Sequence, residues 1–304
     1  DQLLALFWSR LTGAPSGLPP NVETVVLGVR GPRVLAALEV GAVLAAAGAA
    51  YQGLFRNPLV SPDILGVSSG AALGAVLGIW LSLGVVAIQA LAFALGLLAV
   101  VVVYAIGAAL RRHDPILVLV LAGVVIGTLL GSCVSLVKYL ADPYNQLPAI
   151  TFWLLGSLAS TTAGDVRSVV PAVLLGLLPL YLLRWRMNVM TLGEEEARAL
   201  GVDTRRVRAV VVAGATLMTA AVVSISGVIG WIGLLIPHVA RLLVGPDFGR
   251  LLPASVLLGA GYLLAVDTLA RTLARIEIPL GVLTALLGAP FFVWVLARAR
   301  RGWT

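Results

Sequence analysis

The stretch VVAIQALAFALGLLAVVVVYAIGAAL, residues 85–110, contains no charged side chain. A helix needs about 20 apolar residues to cross the hydrocarbon core of a bilayer, so this run is long enough to span it. Other runs have the same character, and backbone groups in lipid must be paired within their own segment, which favours helices. We predict nine transmembrane helices, at residues 33–53, 67–83, 85–110, 115–140, 166–184, 208–225, 228–244, 251–267 and 279–297.

The composition indicates the same environment for the chain as a whole. Of its 304 residues, 60% are hydrophobic and 12% are charged, and the mean hydropathy is +1.04. Soluble domains carry roughly 25% charged residues, so half that share cannot cover a water-facing surface. The sequence lacks the alternating strands of a transmembrane barrel. We therefore predict an all-α integral membrane protein, a polytopic helical bundle that forms a single domain over residues 1–304.

Several kinds of chemistry are disfavoured by the residues that the sequence lacks. The net charge of +7 comes from basic residues scattered between apolar spans, which does not favour nucleic acid as a partner. The single cysteine, Cys133, allows no disulfide or thiolate metal cluster within one chain. The only lysine, Lys138, does not stand in the G-x-x-x-x-G-K-[ST] pattern that binds ATP phosphates. We expect no metal site, no cofactor and no ATP hydrolysis by that route in this chain.

The basic residues predict how the helices are oriented. With the 111–114 turn and the 184–208 loop in the cytosol, fourteen basic residues lie inside and seven outside, as the positive-inside rule requires. The turn at 54–66 and the C-terminus are then cytosolic, and residues 142–160 form a short helix at the membrane interface. The seven outer residues are Arg10, Arg30, Arg33, Lys138, Arg167, Arg271 and Arg275.

Two columns of glycine at four-residue spacing indicate where helices approach closely. Because lipid supplies little drive for helix association, such spacing is typical of packed interfaces. The columns are Gly70, Gly74 and Gly78, and Gly123, Gly127 and Gly131.

The most polar stretch, the loop at 184–208, contains the pattern of a short helix. Residues 193–201 begin with three glutamates and end at a glycine, which suits the helix dipole and a C-terminal cap. A helix presented to the cytosol between two spans is a candidate coupling element, although a solvated loop has a similar charge pattern. The candidate residues are Gly193, Glu194, Glu195, Glu196, Ala197, Arg198, Leu200 and Gly201.

Arginines on the outer side run against the positive-inside rule and need a reason. Arg30 and Arg33 lie at one outer helix end, and Arg271 and Arg275 lie at another. Outward guanidiniums there would dock the carboxylates of a partner, or would anchor the helix ends at the interface. Asp267 and Arg271, four residues apart, are expected to pair along one helix face.

Two further features of the sequence, Glu39 and a serine motif, suggest alternative functions. Glu39, inside a span, lines a polar pathway or pairs with a basic residue such as Lys138, and a proton-coupled secondary carrier would use such a carboxylate. The motif at residues 66–70 matches the G-x-S-x-G pattern of an intramembrane serine enzyme, but no strand pattern precedes it. We expect Ser68 or Ser69 to cap the following helix instead.

Several motifs together make the chain resemble a known family. They are Gln52 to Leu59 with Pro62 to Gly70, Leu192-Gly193-Glu194 with Ala197 and Leu200-Gly201, Gly230 to Leu234 with Ile236-Pro237-His238, and Pro279-Leu280-Gly281-Val282 with Gly288-Ala289-Pro290-Phe291. On these motifs, and over essentially its whole length, the chain resembles the permeases of type II ABC importers, which take up iron chelates, haem and cobalamin.

The resemblance implies a bacterial inner-membrane homodimer with ten transmembrane helices per subunit and one central pathway at the twofold axis. The first helix of the family is then expected to precede Asp1. The resemblance also implies two cytosolic ABC ATPase subunits, which hold ATP and Mg²⁺, and a periplasmic substrate-binding protein. This chain is then a transport subunit and not an enzyme.

The coupling and docking residues are carried over from the same resemblance. It implies that the helix at 193–201 is the coupling element and that Arg30, Arg33 and Arg271 dock the binding protein. The pathway is a hypothesis from the residues themselves: the Gly- and Ser-rich span at 115–140 is expected to line it, and Glu39 stands where several relatives are expected to have an apolar residue. The pathway candidates are Glu39, Gly127, Thr128, Gly131, Ser132 and Ser135. We expect haem or a ferric siderophore as cargo, with cobalamin next, and the proton-coupled carrier is the alternative function.

Overall fold

The computed structural model describes residues 8–9, 12–13, 19–110 and 115–299. Arg10, the predicted 111–114 turn with Arg111 and Arg112, and the C-terminal Arg300 and Arg301 lie outside the described residues. Within the described ranges, every regular element is helical. The helices are α1 (Gly31–Phe55), α2 (Val67–Trp80), α3 (Val85–Ala109), α4 (Pro115–Leu140), α5 (Gln146–Leu155), α6 (Ala163–Leu182), α7 (Arg184–Met190), α8 (Glu194–Ala199), α9 (Thr204–Ser226), α10 (Ile232–Val244), α11 (Phe248–Thr272) and α12 (Leu280–Ala299). Helical turns at Pro20–Thr24 and Val25–Arg30 lead into α1, and a 3₁₀ turn at Pro62–Leu65 precedes α2.

All nine predicted spans coincide with helices. Six of these helices are long and apolar enough to cross a membrane: α1 with its lead-in, α3, α4, α6, α9 and α11. The apolar stretches of α2, α10 and α12 are shorter. The predicted boundaries differ from the helix ends by up to five residues, with the largest difference at Thr272, where α11 ends. Two of the differences are the early end of α2 at Trp80 and the late start of α10 at Ile232. Ser82 and Trp231 explain both boundaries, since their φ angles of 54° and 71° do not fit a right-handed helix.

The helices form a bundle in which α1 and α9 are central. Their most apolar windows are 72% and 78% buried, against 22% in α3, α4 and α6. Helix α1 packs against α9, α10 and α11, α9 packs also against α3 and α6, and α2 packs against α3 and α4. The outer helices expose large apolar side chains such as Leu98, Leu121 and Leu174. Such surfaces fit lipid or another subunit and not water.

Glycine permits the closest helix crossings. A methyl group on Gly74 would overlap the backbone of α3, so the predicted packing role of its column is confirmed. In the second column, a methyl group on Gly123 would overlap the backbone of Ile64. A methyl group on Gly131 would instead meet no atom of the described residues within 4 Å. The prediction that Gly131 packs against another helix of the same chain is therefore wrong, because Gly131 lies on an open face of α4.

The short helix predicted within residues 142–160 is α5. With ten residues it is too short to span a bilayer. Gln146 at its start donates from Nε2 to the carbonyl oxygen of Trp80 at 2.8 Å, which ties α5 to the end of α2. Phe152 is exposed and Trp153 is half-buried, as suits an amphipathic helix beside the bundle.

Candidate functional site

Helices α1 and α11 meet at one end of the bundle in a cluster of charged side chains. The Arg33 guanidinium donates to the Asp267 carboxylate from Nε at 2.9 Å and from Nη2 at 2.7 Å. It also donates from Nη1 to Glu277 Oε2 at 3.0 Å. Arg271 adds a second cation, with its Nε 3.1 Å from Asp267 Oδ2. We call these four residues the outer cluster, after the side on which the predicted topology places them.

The local structure explains how the outer cluster forms. Asp267 and Arg271 share one face of α11, so the predicted pair between them is confirmed. The N–H of Ile278 donates to the carbonyl oxygen of Ala270 at 3.1 Å, which folds the segment after α11 back toward its helix end and brings Glu277 within reach. Asp267 has no exposed surface, and a buried carboxylate requires cations and donors around it.

The outer arginines do not form one outward-facing set. Arg30 is exposed, as expected of a docking residue. Arg33 is only 9% exposed and is occupied by two carboxylates. The expectation that Arg33 faces outward is therefore wrong, and the reason is that buried Asp267 needs its charge. Arg271 is half-buried and also paired. The docking role of all three stays a prediction.

Glu277 is the member of the outer cluster that sequence reasoning missed. It stands two residues before Pro279, in the segment that also contains Arg275. A search for carboxylates near the outer arginines would have found it, because unusual outer cations require counter-charges as well as partners.

The predicted coupling segment folds as the short helix α8, between α7 and α9. The carboxylate of Glu194, its first residue, accepts from Arg198 Nη2 at 2.6 Å, from Arg208 Nη2 at 2.9 Å and from Thr204 Oγ1 at 3.2 Å. Arg208 and Thr204 belong to α9 and are buried. Glu194 therefore connects α8 directly to one of the two central helices.

The environment of Glu194 holds it in the charged form. Partial burial alone would raise its pKa, but the hydrogen bonds from Arg208 and Thr204 and the charges of Arg208 and Arg198 outweigh that effect. The pKa of Glu194 therefore lies below its ordinary value. Both ion pairs are present at neutral pH.

The rest of α8 divides into an anchored side and an exposed side. Ala197 is fully buried, and Gly193 before the helix is buried with a φ of 143°. Gly201 ends the segment with a φ of 81°, a conformation that favours glycine. The exposed residues are Glu195, Glu196, Arg198, Ala199, Leu200 and Gly201. The predicted helix within 193–201 is confirmed, and its exposed side suits contact with another protein.

The predicted pathway residues of α4 lie along one helix face. Thr128, Gly131, Ser132 and Ser135 are exposed, and Gly127 is half-buried. The three hydroxyls donate to backbone carbonyls four residues earlier in α4, at 2.8 to 3.0 Å. This face is therefore uncharged, and its hydroxyl groups already donate to the backbone of α4. Such a surface suits a cargo that passes without binding tightly.

Glu39 lies on α1 and not on the α4 face, so the predicted pathway set is divided between two helices. It is half-buried, and its Oε2 atom has no hydrogen-bond partner among the described residues. Among the described residues, Glu39 forms no ion pair with Lys138. The alternative in which these two residues pair is therefore wrong.

Neither Ser68 nor Ser69 caps α2, so the expectation that one of them does is wrong. Gly66, with a φ of 80°, occupies the cap position, so Ser68 is already inside the helix. Its hydroxyl instead donates to the carboxylate of Asp63 in the preceding turn. Residues 62–65 form a 3₁₀ turn, so the strand that a nucleophile elbow requires is not found there.

Comparisons with known proteins agree with this architecture. The model of the FecCD transport family matches residues 5–298. The cobalamin import system permease protein BtuC of Halobacterium salinarum is 44% identical over 281 residues, which are 92% of this chain and 75% of that protein. The molybdate import system permease protein MolB of Haemophilus influenzae is 40% identical over 303 residues, which are 99% of this chain and 88% of that protein.

A solved structure shows the same fold. It is an ABC transporter described as inward-facing and assigned to the metal-chelate type, and it superposes with a TM-score of 0.88 at 38% identity. The match covers 98% of this chain and 97% of that chain. With a family model matched over residues 5–298 and relatives above 30% identity along most of its length, the chain belongs to the FecCD transport family.

Proposed function

We propose that this chain is the permease subunit of an ATP-driven importer in a bacterial inner membrane. It would act as a homodimer with ten transmembrane helices per subunit, a pathway at the twofold axis and a cytosolic C-terminus. Two separate ABC ATPase subunits would hold ATP and Mg²⁺, and a periplasmic binding protein would deliver the cargo. The observation that carries this proposal is the family match over residues 5–298.

In this proposal the chain forms the pathway and a separate subunit hydrolyses ATP. Lys138, the only lysine, is not in a phosphate-binding loop, so the energy source belongs to another subunit. Helix α8 is the proposed contact with that subunit. Because Glu194 bonds to Arg208 on α9, a displacement of α8 would be passed to the centre of the bundle. Nucleotide binding then drives transport through its different affinity for two states.

The outer cluster is the proposed docking end. Arg30 is exposed and free to meet a carboxylate of the binding protein. Arg33 and Arg271 already have carboxylate partners, so a docking role for them requires an exchange of partners. Glu277 is the easier carboxylate to displace, since its side chain is 28% exposed and that of Asp267 is fully buried.

The selection of the cargo is assigned mainly to the binding protein. The α4 face offers small hydroxyls and no charge, so we expect the binding protein to do most of the selection. Haem or a ferric siderophore is the proposed cargo, with cobalamin next. The relatives named for cobalamin and molybdate keep a vitamin and an oxyanion among the candidates to be assayed.

Reconstitution tests this proposal. The permease is placed in liposomes with its ATPase, and uptake of labelled haem, ferric siderophore, cobalamin and molybdate is measured with the matching binding protein outside. We expect uptake only with ATP inside and binding protein present. Uptake driven by a pH gradient without the ATPase, and lost in Glu39→Gln, would instead establish the proton-coupled carrier. Family membership favours the importer over that carrier.

A further inference from the structure

A cavity of about 290 Å³ lies where the C-terminal ends of α1 and α10 meet α7 and the start of α11. Its polar lining includes Arg56, Asn57, Asn188 and Arg241. A water molecule occupies roughly 30 Å³ of liquid, so the cavity can hold a group much larger than one water. None of these residues belongs to the outer cluster, to α8 or to the α4 face.

The position of Arg241 is fixed by a break in the hydrogen bonding of α10. Pro237 has no N–H, so the carbonyl oxygen of Gly233 lacks its helical partner. Gln52 of α1 supplies that partner from Nε2 at 3.2 Å, and it also donates to the Leu234 carbonyl oxygen at 3.1 Å. The amide oxygen of Gln52 is then directed at Arg241, whose Nη2 donates to it at 3.1 Å.

The cavity carries positive charge without a matching anion. Gln52 is neutral and uses one of the five N–H groups of the Arg241 guanidinium. Among the described residues, neither Arg56 nor Arg241 forms an ion pair with a carboxylate. The nearby Asp247 accepts from Asn188 Nδ2 at 2.8 Å and from the backbone N–H of Arg250 at 3.1 Å. Two guanidiniums therefore line a space that suits an anion.

The surroundings of the cavity indicate the source of that anion. Leu242 and Leu243, directly after Arg241, are 69% and 67% exposed at the end of a predicted span. Met187 and Phe248 give the cavity an apolar wall. A soluble anion gains nothing from an adjoining apolar surface, whereas the acyl chains of a phospholipid would pack against it. Basic pockets between transmembrane helices on the cytosolic side are a known setting for anionic lipid headgroups.

We propose that this cavity binds the phosphate group of an anionic phospholipid, with Arg241 and Arg56 as its cationic ligands and the acyl chains beside Leu242 and Leu243. Arg241 is the positioned ligand, because Gln52 and Pro237 set its place. Arg56 is the ligand at the exposed rim. The site goes beyond transport by this chain and does not depend on the identity of its cargo.

The test measures binding of phosphatidylglycerol, compared with zwitterionic phosphatidylcholine, to the purified full chain by native mass spectrometry in mild detergent. Wild type should retain phosphatidylglycerol selectively. Arg241→Gln and Arg56→Gln should each weaken it about five-fold or more, which converts to about 1 kcal/mol per cation. Arg250→Gln is the matched control, since Arg250 is exposed on the same end and does not line the cavity, and it should bind as wild type does.

Four results would overturn the proposal. Equal retention of the two lipids, or equal loss in Arg250→Gln, would mean that the cavity is not a lipid site. If inorganic phosphate protected wild type from thermal unfolding as strongly as phosphatidylglycerol does, the cavity would be assigned to a soluble anion. Unchanged lipid binding with lost ATPase association in Arg241→Gln would assign it to a protein carboxylate. Arg56→Gln keeps the test decisive if Arg241→Gln folds poorly, because Arg56 is exposed.

Discussion

Arg33 on α1 and Asp267 on α11 are 234 residues apart in the sequence and form a buried ion pair with two donor distances of 2.9 and 2.7 Å. Asp267 has no exposed surface, and Arg33 shares its remaining donors with Glu277. Exposed ion pairs contribute little to stability, but removing one partner of a buried pair leaves a charge that neither water nor protein compensates. The pair therefore fixes how α1 and α11 meet at the outer end.

The first prediction concerns this pair. Asp267→Asn should destabilise the fold by about 2–4 kcal/mol, somewhat less than full loss of a buried partner, because Glu277 still meets Arg33. A lower thermal unfolding temperature in detergent is the measurement. Asp203→Asn is the matched control: it weakens the exposed Asp203–Arg206 pair, and its effect should stay within about 0.5 kcal/mol. Equal stability of Asp267→Asn and wild type would contradict the structural role.

A second prediction separates docking from folding among the outer arginines. Arg30→Glu should reduce the stimulation of ATPase activity by the binding protein without lowering the unfolding temperature, since Arg30 is exposed. Arg33→Glu should lower both, because it places a carboxylate beside Asp267 and Glu277. Arg167→Glu, an exposed outer arginine on α6, should change neither. Full stimulation of Arg30→Glu would refute its assignment as a docking residue.

The fold was predictable from sequence because apolar runs are the strongest local signal. The run at 115–140 corresponds to α4 without change, and the three glutamates before Gly201 predicted α8. The predicted helix boundaries are wrong where the backbone conformation, and not hydropathy, decides where a helix begins or ends. Trp231 is apolar, yet its φ of 71° delays the start of α10.

The candidate site was only partly predictable, because pairing between distant charges leaves no local pattern. The positive-inside rule predicts that Arg33 is an outward residue, whereas its carboxylate partners lie 234 and 244 residues away in the sequence. Asp267 and Arg271 could be paired in advance, since their spacing alone places them on one helix face. Ser68 was assigned to a cap because the left-handed conformation of Gly66 is not visible in the sequence.

A third prediction follows from the contacts of Glu194. Glu194→Gln should speed amide hydrogen exchange in residues 193–203 by about ten- to 150-fold at neutral pH. The reason is that hydrogen bonds to a charged group contribute about 1.5–3 kcal/mol and Arg208 would be left buried without its carboxylate. Glu195→Gln, an exposed neighbour, should leave exchange unchanged. Slow exchange in Glu194→Gln would mean that Glu194 does not hold α8 on α9.

A fourth prediction concerns how the effect of Glu194 depends on pH. The pKa of Glu194 is lowered in the folded chain, so its contribution to stability is fully present above the ordinary carboxyl pKa of about 4.3. That contribution is lost as the pH falls through the folded pKa. The difference in exchange between wild type and Glu194→Gln should therefore disappear in acid. A difference that persisted at pH 2 would show that another group is responsible.

The last prediction tests whether the α4 face lines the pathway. A Cβ atom on Gly131 would meet nothing within 4 Å, so Gly131→Leu adds bulk without disturbing the described packing. If cargo passes along this face, uptake in liposomes should fall by about ten-fold or more while the unfolding temperature stays the same. Gly261→Leu is the matched control, because Gly261 on α11 is equally open and exposed, and its uptake should be normal. Equal uptake by the two variants would move the pathway away from α4. Loss of dimer in Gly131→Leu, detected by native mass spectrometry, would instead assign this face to the subunit interface.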